Sequence, residues 1–229
     1  MAQSSLITTV LFDAGGTLVH VDHAFLQRVL RQAGIVVTRR QVREAECASK
    51  IAVDRRMQAA VTDTDETRRQ PYFAAMLQQL GIAQETAKQL LLTFETEHKQ
   101  NNLWRVMLPS TPRVLADLRA RDVTLGVVSN SDGRIVSILD RCGITSFFDV
   151  VIDSHEVGVE KPDPRIFQFA LEKAHARPEQ TLYVGDIYSI DVVGARCAGI
   201  EPVLMDSVGC YTTAACKRIR HLRALLEMV

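Results

Sequence analysis

A chain of 229 residues, 47% apolar and 24% charged, has the composition of a folded globular protein, as one large domain or one domain with an insert. Its 27 basic and 27 acidic side chains balance, which excludes a global charge attraction to nucleic acid or to an anionic membrane surface. No apolar run nears the ~18–20 residues of a membrane-spanning helix, and the opening MAQSSLITTV has no basic region followed by an apolar block, so no signal peptide is expected.

The first apolar run, Ile7–Phe12, is closed by Asp13 within TVLFDAGGTLVH. From His20 to about Met107 only helical stripes are legible. Leu26, Val29, Leu30 and Ala33 end at Gly34, and Phe73, Met76, Leu77 and Leu80 end at Gly81. The spacing predicts four helices, and with them a small helical domain over 20–107 inserted into an α/β domain made of 1–19 and 108–229. Cys47 lies in this insert. With Cys142, Cys197, Cys210 and Cys216 it makes an odd set without a CxxC spacing, read as reduced thiols in a cytoplasmic protein.

Beyond the insert, Ser110-Thr111-Pro112 opens a helix carrying Val114, Leu115 and Leu118, and Val123–Val128 forms the second apolar run. Ile135, Ile138, Leu139 and Cys142 make a stripe stopped by Gly143, and Phe148–Ile152 is the third run. Asp163-Pro164 reads as an N-cap with proline at the first helical position, ahead of Ile166, Phe167, Ala170 and Leu171. Thr181–Val184 and Pro202–Met205 complete the set, and Ile219, Leu222 and Leu226 share one face of an expected C-terminal helix. Near-continuous Val, Ile, Leu and Phe runs alternating with helices predict a doubly wound α/β fold around a parallel sheet.

Ligands of open α/β sheets bind beyond the carboxyl ends of the strands, so the residues that close each run belong together. These are Asp13, then Ser129-Asn130, then Lys161 after the third run, then Asp186 with Asp191 five residues on. Each alone is as well explained by a cap or a turn. Together they place three carboxylates beside one lysine, a surplus that demands either protonation or a cation. A hard divalent ion such as Mg²⁺, bridging carboxylates to a phosphate, answers that demand. Ser129, Lys161 and backbone N–H groups of the Gly15-Gly16 turn would hold the phosphate oxygens.

Across the whole chain the pattern resembles the haloacid dehalogenase superfamily of hydrolases. FDAGGTL is similar to its first motif, VVSNS to its second, EKPDPRIF to its third and VGDIYSIDVVGARCAGI to its fourth, with the insert resembling a helical C1-type cap. The resemblance implies a phosphatase-type hydrolase of small anionic, phosphorylated substrates. Asp13 would be the nucleophile that forms an aspartyl-phosphate. Mg²⁺ would be held by Asp13, the carbonyl of Gly15 and Asp186, with Asp191 in or just behind that set. Ser129, Asn130, Lys161 and Gly16 would bind the phosphoryl group, and Thr17 would support the Asp13 loop.

One position departs from the family pattern. Two residues after the nucleophile its phosphatases carry a second aspartate, the general acid and base, and here that residue is Gly15. General acid–base help is worth about 10²–10⁴-fold. Three readings follow: phosphoryl hydrolysis that is slow, uses a cap acid or suits a leaving group needing little protonation; carbon–phosphorus or carbon–halogen cleavage; or a weakly catalytic binding or regulatory protein. Lys50 is the candidate Schiff-base lysine for the second reading, although the intact GDxxxxD spacing argues against dehalogenation. His20 and His23 are candidate replacement proton donors. Of the basic clusters Arg39-Arg40, Arg55-Arg56 and Arg68-Arg69, any arginine facing the cleft would favour an anionic substrate. The joints of a closing cap are expected near His20–Asp22 and Met107–Pro109. Neither the substrate nor the oligomeric state is legible.

Overall fold

Thr9–Phe12 (β1) is buried at all four residues, so it needs cover on both faces. Its alternation sorts two layers: Val10 and Phe12 join the apolar cluster on one side, Leu11 the cluster on the other. In the computed structural model, which describes residues 6–59 and 64–229, the chain continues through Val19–Val21 (β2) into four helices. These are His23–Gln32 (α1), Arg39–Gln58 (α2), Asp65–Gln79 (α3) and Gln84–Asn101 (α4), followed by Trp104–Met107 (β3). The α/β part then runs Thr111–Arg119 (α5), Thr124–Ser129 (β4), Ile135–Arg141 (α6), Val150–Asp153 (β5), Ser154–Val157 (α7) and Pro164–Lys173 (α8). Thr181–Gly185 (β6), Val193–Cys197 (α9), Glu201–Met205 (β7) and Lys217–Ile219 (β8) complete it. Residues 1–5, on which the expectation for the N-terminus partly rests, lie outside the described ones.

Six strands pair in parallel in the order β5-β4-β1-β6-β7-β8. Helices α5 and α6 cover one face with Val114, Leu115, Leu118, Ile138 and Leu139. On the opposite face α8 and α9 contribute Ile166, Phe167, Ala170 and Ala195. The expected caps are present: Asp163 accepts from the Arg165 N–H at 2.9 Å, and Gly143 ends the α6 turn at φ +68°. No described helix is long and apolar enough to cross a membrane.

Two expectations are corrected. Ile219 does not share a helix with Leu222 and Leu226: it ends β8 on the free edge of β7, and Leu222–Glu227 is a 3₁₀ turn. Backbone groups at that edge take the segment into the sheet, which a three-residue spacing between apolar side chains cannot reveal. The stretch from His20 to Met107 is also not wholly helical, because β2 and β3 form an antiparallel ribbon at the base of the helices. Its strands are three and four residues long and distant in sequence, so neither carries a periodic signal.

The four helices bury their own cluster around Phe25, Leu26, Phe73, Met76, Leu77 and Phe94. One stripe of α2 fastens them to the α/β part beyond the carboxyl ends of the strands. Arg43 Nη2 donates to the Ser207 carbonyl at 3.1 Å, Lys50 meets Asp186 at 2.9 Å, and Asp54 accepts from the Ser189 N–H at 2.7 Å. Cys47, on the same helical face, is bonded to Cys210 across a Cα separation of 5.4 Å. This corrects the expectation of five reduced thiols, since a partner 163 residues away leaves no spacing to read. A thiol titration in denaturant should therefore count three free thiols (Cys142, Cys197 and Cys216) without reductant and five after reduction. Five before reduction would leave Cys47 and Cys210 unpaired.

Candidate active site

Asp13 follows β1 directly, and its backbone N–H donates to the Val184 carbonyl at 2.8 Å, which keeps it in line with β6. The next residues turn back sharply, with the N–H groups of Leu18 and Val19 both donating to the Ala14 carbonyl at 2.9 Å. Gly16 sits in this turn at φ +76°, where a Cβ would lie 2.0 Å from Asp186 Oδ2. Backbone conformation and contact together therefore demand glycine.

Asn130, just past β4, holds Lys161 by its main chain. Its Nδ2 donates to the Lys161 carbonyl at 3.0 Å, and its Oδ1 accepts from the Lys161 N–H at 2.8 Å. So fixed, the buried Lys161 ammonium donates to Asp13 Oδ1 at 2.6 Å, to Asp191 Oδ1 at 2.9 Å and to the Tyr183 hydroxyl at 2.8 Å. Asp191 turns its other oxygen to the N–H groups of Asp186 and Ile187, at 3.0 and 2.9 Å. From α2, Lys50 places its ammonium 2.9 Å from Asp186 Oδ2, with Glu46 3.8 Å behind it.

Ligand atoms of Asp13, Asp186 and Asp191 lie within 4.8 Å of one another, all three residues buried. Burial, reinforced by Asp191 and Asp186 and only partly offset by Lys161, pushes Asp13 up to about 8. Burial also pushes Asp186 up to about 6 against the pull of Lys50. For Lys161 burial alone would favour the neutral amine, but Asp13 and Asp191 outweigh it and hold the group above its ordinary value. The three aspartates outnumber the two ammoniums, and Glu46 adds a further acid behind Lys50. The cluster fits a hard divalent cation with oxygen ligands.

A cavity of about 130 Å³ opens over Asp13, roofed from the helical side by Arg68, Arg69, Tyr72 and Trp104. Of the residues expected to form a site, Asp13, Gly15, Ser129, Asn130, Lys161, Asp186 and Asp191 all line it. Gly16 lies beneath, against Asp186. Thr17 is wholly buried, and its hydroxyl has no hydrogen-bond partner among the described residues, so it does not brace the Asp13 loop through one.

His20 and His23 do not line the cavity, and burial lowers His20 to about 4, which keeps it neutral. Lys50 does not line it either, its ammonium being turned to Asp186. Arg68 and Arg69 do face it, while Arg39, Arg40 and Arg55 are exposed. Arg68 pairs with Glu160 at 2.7 Å, and Arg69 Nη1 lies 2.5 Å from His98 Nε2. Tyr183 and Trp104 escaped the sequence reading. A tyrosine in the otherwise apolar run Thr181–Val184 was the available signal, because a buried hydroxyl needs a partner.

Removing one member of a buried ion pair leaves the other uncompensated. Lys50→Met should therefore cost about 3–5 kcal/mol in denaturant unfolding in metal-free buffer. An unchanged midpoint would mean that Asp186 does not depend on this cation.

A model of the haloacid dehalogenase-like hydrolase family matches residues 7–199. The human haloacid dehalogenase-like hydrolase domain-containing protein 3 is 40% identical over 116 residues, 46% of this chain and 46% of that one. The glyceraldehyde 3-phosphate phosphatase of Methanothermobacter thermautotrophicus is 40% identical over 104 residues, 43% of this chain and 44% of its own. The phosphoserine phosphatase of Thermus thermophilus is 35% identical over 143 residues, 60% and 54% of the two chains. The chain thus spans about half the length of these curated relatives. Among solved structures, the magnesium-bound putative HAD-hydrolase YfnB of Bacillus subtilis superposes with a TM-score of 0.68 over 98% of this chain and 99% of that one. At 19% identity that is a likeness of fold alone. On the reach of the family model, from before β1 to the end of α9, the chain belongs to the haloacid dehalogenase-like hydrolases.

Proposed function

We propose that the chain is a Mg²⁺-dependent phosphatase of small phosphorylated metabolites, working through an aspartyl-phosphate on Asp13. One observation carries the reading. Lys161 pins Asp13 Oδ1 at 2.6 Å, while Oδ2 has no hydrogen bond among the described residues and belongs to a side chain that lines the cavity. A carboxylate held by one oxygen and presented by the other is a positioned nucleophile. Ser129 and Asn130 line the same cavity and would receive phosphoryl oxygens. Lys161, its three N–H donors taken by Asp13, Asp191 and Tyr183, would add its positive charge.

Asp13, Asp186, Asp191 and the Gly15 carbonyl would hold the metal, which supplies charge neutralisation for nucleophile and phosphoryl group. The relatives named as phosphatases of glyceraldehyde 3-phosphate and phosphoserine support a small phosphorylated substrate. Arg68 and Arg69 on the roof favour an anionic one. The four helices, residues 20–107, would act as a cap over a core of 1–19 and 108–229, excluding water during transfer.

Carbon–phosphorus cleavage through a Schiff base on Lys50 is disfavoured, because that ammonium is turned to Asp186 and does not line the cavity. A pure binding role leaves three buried carboxylates without a purpose.

Steady-state assays on p-nitrophenyl phosphate and acetyl phosphate test the assignment. Activity should require Mg²⁺ and vanish with a chelator, and Asp13→Asn should lower kcat by about 10³-fold or more. Undiminished turnover by Asp13→Asn would remove the nucleophile.

A further inference from the structure

The space beside the nucleophile that a side chain at residue 15 would take is filled from elsewhere. A Cβ on Gly15 would lie 3.2 Å from Cδ1 and 3.6 Å from Nε1 of Trp104. The indole is gripped on its other sides by Tyr72, Phe73 and His98, with ring centroids 5.6, 5.6 and 5.8 Å away. Its pyrrole edge is left facing the nucleophile loop. The ring is half-buried and lines the same cavity as Asp13, and its Nε1–H has no hydrogen-bond partner among the described residues. Such an unpaired donor, beside the nucleophile in a largely apolar cavity, is set for an acceptor on a ligand.

In-line attack by Asp13 sends the leaving oxygen away from the strand ends, toward the roof that Trp104 helps to form. We propose that the Trp104 Nε1–H is the group that meets this leaving oxygen, and that the enzyme is therefore matched to acyl phosphates. This rests on the phosphatase reading above and adds its substrate class.

An indole N–H donates a hydrogen bond but does not surrender its proton. As Asp13 Oδ2 bonds to phosphorus, the bond from phosphorus to the leaving oxygen breaks, and its electron pair stays on that oxygen. A carboxylate, whose conjugate acid has a pKa near ~4, departs in this way unaided. An alkoxide, as basic as hydroxide at about 15.7, does not. In the second step water attacks the phosphorus of the aspartyl-phosphate, Asp13 leaves as a carboxylate, and the water's protons pass to the phosphate product and solvent. Both leaving groups are then carboxylates, and neither step needs a proton donor at residue 15.

Two titratable groups of the cavity, Asp132 and His98, do not fill that role. Asp132 is paired with Arg134 at 2.6 Å and held below its ordinary value. Burial, helped by Arg69, lowers His98 to about 4, so it carries no spare proton near neutrality. Asp65 also lines the cavity and is pushed up to about 6 by burial. It opens α3, where its backbone N–H donates to Glu160 at 2.9 Å, and the Asp65→Asn variant below separates its role from that of Trp104.

The full chain with Mg²⁺ should be assayed on acetyl phosphate, ethyl phosphate and a series of substituted phenyl phosphates. Acetyl phosphate should exceed ethyl phosphate in kcat/KM by about 10³-fold or more, in the range that a missing general acid forfeits. Trp104→Phe keeps an aromatic ring and removes the N–H. It should lower kcat about tenfold with little change in KM, and steepen the dependence of log kcat/KM on leaving-group pKa. Equal rates on acetyl and ethyl phosphate would overturn the proposal, and ethyl phosphate activity lost in Asp65→Asn would give the acid role to Asp65. An unchanged slope in Trp104→Phe would reduce Trp104 to a packing residue and overturn it too. Silence on every phosphate would overturn the phosphatase reading itself.

Discussion

Three carboxylates cannot be collected at the ends of buried strands unless positive charge is brought to them, and much of this molecule is arranged around that requirement. Lys161 satisfies part of it by standing between Asp13 and Asp191, at 2.6 and 2.9 Å. Its position comes from main-chain hydrogen bonds to Asn130, which continues β4, so the central sheet itself sets where the ammonium stands. Tyr183 shares the load, its hydroxyl bridging from Lys161 to Asp191 and the Val128 carbonyl. Burial makes these contacts matter. Exposed pairs of the same kind would contribute little, whereas here an unmatched charge has no water to turn to.

The same demand reaches across to the helices. Lys50 lies two turns along α2 from Arg43 and one from Asp54, so one helical face delivers a cation to Asp186 and a carboxylate to the Ser189 N–H. Docking of the helices and charge balance of the site are thus one interaction seen from two sides. The Cys47–Cys210 bond lies on that face and ties α2 covalently to the segment after β7. Any movement of the helices relative to the sheet must either keep α2 in place or break this set of contacts together.

What the sequence made legible follows from range. Asp13, Ser129 and Asp186 each close an apolar run, with Lys161 and Asp191 a few residues beyond one, and the geometry of a parallel sheet brings such ends to one edge without knowledge of side-chain packing. The four helices were legible for the same reason, since the 3.6-residue period is local. Lys50 was visible only as a lysine on a charged helix, because its contact with Asp186 depends on how α2 docks. The Cys47–Cys210 pair and the β2–β3 ribbon depend on contacts far apart in sequence. At Leu222–Glu227 a helix-like spacing instead belongs to a short turn after an edge strand.

Gly15 shows how a local departure finds its cause at long range. As a sequence feature it is a missing side chain, but in three dimensions it is the half of a contact that makes room for an indole. The contact is fixed by main-chain geometry. Gly15 bridges to Val19, β2 begins at that residue, and β2 pairs with β3 so that Val21 stands opposite Trp104. Trp104 therefore belongs to the ribbon that carries the helices, and its register on the nucleophile loop is set by a ladder only a few residues from Asp13. Tyr72 and Phe73 of α3 and His98 of α4 complete the seat of the ring, so its position joins the ribbon to the packing of those helices. Glycine at 15 and tryptophan at 104 are thus one structural choice, and either residue without the other would leave a gap or a collision beside the nucleophile.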